Sequence, residues 1–166
     1  MAKVLQYLYL AHHVRQSYTQ SLGQRPMARQ IILLIEPEAT LCELLLLCLR
    51  KLGDWTVFPA ASMGAGWDWL MVQQPDVIVL DVATSEEDSR RFIDDLSHNL
   101  ATASIPVVLL VSHATWLSAG HSDQVVGMIA KPFNPVTLPI EMASLLGWPL
   151  ICDLSPPPPN LEAGTG

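Results

Sequence analysis

The charged residues whose placement could serve chemistry fall in three short stretches: Glu36-Pro37-Glu38, Asp81, and Lys131 followed by Pro132 and Phe133. Each stretch directly follows an apolar run, at residues 31–35, 77–80 and 127–130. Such runs are expected of strands buried on both faces. In open parallel sheets, function gathers at the carboxyl ends of the strands. A lone carboxylate at a strand end is often a solvated loop residue, but two acidic groups and one lysine on a single edge argue for a site. Other chemistries find less support. Cys42, Cys48 and Cys152 lack metal-ligand spacing and are expected to be reduced. His12 and His13 are adjacent and would point apart on a helix. No Ser or Cys nucleophile with a paired His falls at the strand ends, so the chain is not expected to be an enzyme.

These groups require a scaffold, and the chain alternates accordingly. Strands are expected at residues 31–35, 55–58, 77–80, 107–111 and 127–130. Helices are expected at 40–52, 65–72, 90–96 and 138–146, with a weak one at 116–125. The last helix should start at Thr137, because Pro139 is tolerated in a first turn but not deeper. Strands alternating with helices imply an α/β fold: a five-stranded parallel, doubly wound sheet with helices on both faces.

Bulk properties narrow the function. A chain of 166 residues favours one domain with modest extensions. Its charged fraction of 15% lies below the roughly 25% of an average soluble domain, so some apolar surface is expected to be covered by a partner. A net charge of −7 argues against non-specific nucleic-acid binding. No apolar run is long enough for a membrane span, and a cytoplasmic location is expected. Residues 1–26 read as an amphipathic helical extension, with Val4, Leu8, Ala11 and Tyr18 at helical spacing, residues 27–148 as the domain, and residues 149–166 as a proline-rich tail.

The segments Ile32-Leu33-Leu34-Ile35-Glu36-Pro37-Glu38, residues 75–81, residues 105–110 and Lys131-Pro132-Phe133-Asn134-Pro135 resemble receiver domains of bacterial response regulators. The resemblance runs from about Gln30 to Leu146 and implies a flavodoxin-like, three-layer fold. It also implies roles. Asp81 matches the aspartate that accepts a phosphoryl group from a histidine kinase, and Lys131 the lysine that pairs with that phosphate. Glu36, Asp81 and the backbone carbonyl of Ala83 match the ligands of a magnesium ion. The chemistry is phosphoryl transfer, in which metal and lysine neutralise charge building on the equatorial oxygens.

The chain also departs from the pattern. Pro37 stands where a second acid would complete the Mg2+ site, so that ion is expected to bind weakly or not at all. Val111 replaces a hydroxyl residue and Met128 an aromatic switch residue. The loop after Asp81 is expected to carry Glu86, Glu87 and Asp88. The expected function is therefore that of a single-domain response regulator of a phosphorelay, with Asp81 as acceptor. The alternative is a phosphorylation-independent module that dimerises or docks. In the helix expected at 40–52, the core face should be Leu41, Leu44, Leu45, Cys48 and Leu49. Leu46 and Leu47 then point outward and are candidate interface residues, for a kinase or for a homodimer.

Overall fold

The computed structural model describes residues 29–82, 85–112 and 122–149. Five strands form one parallel sheet: β1 (Ile31–Ile35), β2 (Thr56–Ala60), β3 (Val77–Asp81), β4 (Val107–Val111) and β5 (Val125–Ala130), in the order β2-β1-β3-β4-β5. Four helices connect or follow them: α1 (Ala39–Lys51), α2 (Met63–Leu70), α3 (Glu86–His98) and α4 (Leu138–Leu146). This is the doubly wound α/β fold expected from the alternation of elements. The weak helix expected at 116–125 lies mostly outside the described residues, and its last residue is the first of β5.

The three central strands are continuous in apolar residues because both of their faces are covered. β3 and β4 are buried at every position. Side chains alternate between the two faces. Leu33, Ile35, Ile78, Leu80, Leu109 and Val111 pack on one side with Phe92, Ile93 and Leu96 of α3. Ile32, Leu34, Val77, Val79, Val108 and Leu110 pack on the other with Leu45 and Leu49 of α1 and Leu138 and Met142 of α4. Gly66 lets α2 lie close to β1, since a Cβ there would meet Ile35 Cδ1 at 2.6 Å. Edge strand β2 exposes Phe58 and Pro59, and a proline on an edge discourages pairing with another chain.

Local signals fix the helix ends. Ser62 and Ser85 cap α2 and α3, accepting from the backbone N–H groups of Ala65 and Asp88. The capped start of α3 corrects the sequence reading. Glu86, Glu87 and Asp88 form the first turn of the helix rather than a loop, where the helix dipole favours acidic residues. α4 begins as expected, with Thr137 at its N-cap, Pro139 in the first turn and Gly147 ending it at φ 65°. Past that end, Trp148 stands edge-on to Trp55, with ring centroids 5.3 Å apart.

The buried arc of α1 is wider than one face. Leu45, Cys48 and Leu49 are buried, and Leu41, Cys42 and Leu46 also pack against the core shared with α4. Leu46 is thus half-buried within the chain, not outward as expected, while Leu44 is only half-buried and belongs to neither core cluster. The reason is α4, which flanks α1 on the same face of the sheet and extends the apolar environment around it. Leu47 alone of the pair is exposed, at 38%.

Candidate functional site

The sheet ladder places the charged groups. Glu36 follows β1 directly, and its N–H donates to the carbonyl of Ala60 at 3.0 Å. Asp81 ends β3, in register with Leu110 of β4. Lys131 follows β5, and its N–H donates to the carbonyl of Val111 at 2.7 Å. All three side chains therefore come off carboxyl ends of strands whose backbones are hydrogen-bonded to a neighbour. The peptide bond between Lys131 and Pro132 is cis.

The side chains meet. Lys131 Nζ donates to Asp81 Oδ2 at 2.6 Å, with the aspartate side chain 1% exposed and the lysine 19%. Glu36 is also buried, and its Oε1 accepts from the N–H of Glu38 at 2.9 Å. Two buried oxygens remain without a partner, Glu36 Oε2 and Asp81 Oδ1. Burial pushes the Glu36 carboxyl up to about 7. The nearby Asp81 carboxyl adds to this rise, because only a protonated Glu36 can donate to it and because two carboxylates repel. Lys131 opposes the rise by its positive charge.

The unpartnered oxygens suit a hard, oxygen-seeking cation in kind. They fall short in number, because exposed Pro37 stands between Glu36 and Glu38 and brings no side-chain oxygen. Glu38 does not replace it. Its carboxylate caps α1 instead, accepting from the N–H of Leu41 at 2.7 Å and of Thr40 at 2.9 Å, which lowers its titration. Among the described residues, no three or more His, Cys, Asp or Glu side chains are grouped to hold a metal. Ala83 lies outside the described residues.

Beside the charged cleft the surroundings are apolar. Val111 is buried, and Met128 packs half-buried against the same core cluster. Ser112, next to Val111, is exposed. Neither a hydroxyl nor an aromatic ring occupies the path from Asp81 toward β5 at these positions. Sequence reasoning missed Gln124, which is buried and donates to the carbonyls of Thr102 and Ile105 at 2.8 and 2.7 Å, tying the turn after α3 to the start of β5.

Comparison with known proteins bears on this arrangement. No family model matches the chain. Response regulator Rre1 of Synechocystis is 26% identical over 117 residues, which is 69% of this chain. The chain spans about half the length of that relative, 51%. Among solved structures, the receiver domain of a signal transduction histidine kinase from Syntrophus aciditrophicus is 25% identical, with a TM-score of 0.59 over 71% of this chain and 90% of that one. The receiver domain of a sensor histidine kinase from Pseudomonas aeruginosa, solved with a magnesium ion in its active-site cleft, is 22% identical, with a TM-score of 0.60 over 72% of this chain and 99% of that one. The described residues have the fold of these receiver domains, and the chain is similar in sequence to a response regulator.

Proposed function

We propose that this chain is a two-component signalling protein whose Asp81 accepts a phosphoryl group. One observation carries the reading: Lys131 holds Asp81 Oδ2 at 2.6 Å while Oδ1 is left buried and unpartnered beside Glu36. In this reading Oδ1, the oxygen that Lys131 does not hold, is the nucleophile. It attacks phosphorus in line, the bond from phosphorus to the donor's histidine nitrogen breaks, and the product is an acyl phosphate on Asp81. Lys131 neutralises charge on the transferred group. Glu36 and Asp81 are the residues that would hold a divalent cation, which would supply further positive charge to the transferred group. The donor suggested by the likeness to response regulators is a histidine kinase. In the test, the chain is treated with a small phosphoramidate and then digested with trypsin. The peptide of residues 52–90 should carry a hydroxylamine-sensitive phosphate in the native chain and none in Asp81→Asn. An unmodified native peptide would refute the reading.

A second reading has its own support. Pro37, Val111 and Met128 each lack the group that would bind metal, contact phosphate or move with it. These substitutions favour a module that docks or self-associates through apolar surface, Leu47 included, irrespective of phosphate. It predicts that Asp81→Asn binds the physiological partner as well as the native chain does; a loss of binding in that variant would exclude it.

A further inference from the structure

The end of the sheet opposite the charged cleft carries an apolar patch in solvent. Met71 and Val72, just past α2, are 51% and 79% exposed, and Leu100, past α3, is 98% exposed. Gln74 joins the two loops, its Nε2 donating to the carbonyl of Ala101 at 3.1 Å. Isolated exposed apolar residues need no explanation, but a joined set of large ones at one end suggests a binding surface.

We propose that the occupant is the first 28 residues of this same chain. Three observations point there. The first is where the described chain begins. Ile31 N–H donates to Asp76 Oδ2 at 2.6 Å, and Asp76 N–H donates to the carbonyl of Ile31 at 2.8 Å. The preceding segment therefore arrives beside the loop that bears Met71 and Val72. Its 28 residues would reach about 40 Å even at a helical rise, enough to cross the patch.

The second observation is charge. Lys3, Arg15 and Arg25 against no acid give this segment +3, so a chain of net −7 carries −10 elsewhere. The helices that lead to the patch are acidic: Asp68 of α2 and Asp94 and Asp95 of α3 are exposed, and residues 61–76 and 92–105 contain no Lys or Arg. Arg29, the next basic residue, already pairs with Asp54 at 3.6 Å. The C-terminal segment is the poorer candidate, because Asp153 and Glu162 are its only charged residues. The third observation is pattern: Val4, Leu8, Ala11 and Tyr18 recur at helical spacing and could offer one apolar stripe to the patch.

Trypsin digestion of the full chain tests the assignment, with cleavage after Arg15 as the readout. Val72→Asp combined with Leu100→Asp should speed that cleavage about tenfold at every protein concentration, because the segment is released. Both side chains lie in solvent, so an unchanged melting curve should confirm that the fold is intact. A second variant, Lys3→Glu with Arg15→Glu, changes only the segment and should raise hydrogen exchange over residues 71–76. Unchanged cleavage in the first variant together with unchanged exchange in the second would overturn the proposal. So would protection that disappears on dilution as sedimentation reports dissociation, since the patch would then be covered by a second copy.

Discussion

The two ends of the sheet invert the usual distribution of polarity. At the carboxyl end, buried Glu36 and Asp81 meet the half-buried Lys131. At the amino end, Met71, Val72 and Leu100 stand in water. Buried charge is costly unless paired, and exposed apolar area is normally removed by packing. A fold keeps such features where something binds. The carboxyl end joins one lysine to two carboxyls with unpartnered oxygens, whereas the amino end offers exposed apolar area with acidic residues on the same helices. We read the first as the proposed phosphoryl-acceptor site and the second as the proposed docking surface.

Removing the lysine should have the largest effect on this contrast. Lys131→Met leaves two buried carboxyls without their cation and should cost about 3 kcal/mol by denaturant unfolding at neutral pH. A loss below about 1 kcal/mol would mean that water already screens the cleft. The next effect depends on pH. Glu36 has an ordinary value of 4.5 and is raised to about 7 in the folded chain, so the folded state holds a proton that the unfolded state releases between these values. The proton-linked stability is full below about 4.5 and is lost as pH rises to about 7. Glu36→Gln should flatten this slope and be more stable than the native chain at pH 8 by about 1–2 kcal/mol. Equal slopes in the two proteins would assign the pH dependence elsewhere.

Metal affinity sharpens the description of the cleft. Pro37→Asp supplies the missing oxygen and should tighten magnesium binding about tenfold in a calorimetric titration. An unaltered affinity would show that the side chain at that position does not reach the ion. The smallest effect separates two neighbours on α1. Leu47→Lys should change stability by less than about 0.5 kcal/mol, whereas Leu46→Lys removes core packing and should cost more than 1 kcal/mol, about what a partly buried leucine contributes. Equal costs would restore the symmetric reading of the pair.

Much of the carboxyl end was legible in the sequence. An apolar run that stops at a charge marks a strand leaving the core, and this happens at Glu36, Asp81 and Lys131 alike. The start of α4 was equally legible, because Pro139 can stand only in a first turn. Features set by neighbours were not. Leu46, and not Leu44, packs against the core because α4 flanks α1, which periodicity in a single helix cannot reveal. Glu86, Glu87 and Asp88 read as a loop by composition, yet Ser85 caps them into a helix. At the amino end, the helix expected at 65–72 runs from Met63 to Leu70 instead, which leaves Met71 and Val72 past its end and in solvent. The role of Glu38 lay between these cases: its distance from the metal position was readable, but its capping bonds required the backbone of α1.

The account rests on Asp81 as a phosphoryl acceptor, and intact mass after incubation with a small phosphodonor and magnesium tests that most directly. The native chain should gain the mass of one phosphoryl group, and Asp81→Asn should gain none. No gain in the native chain, or an equal gain in both, would contradict it.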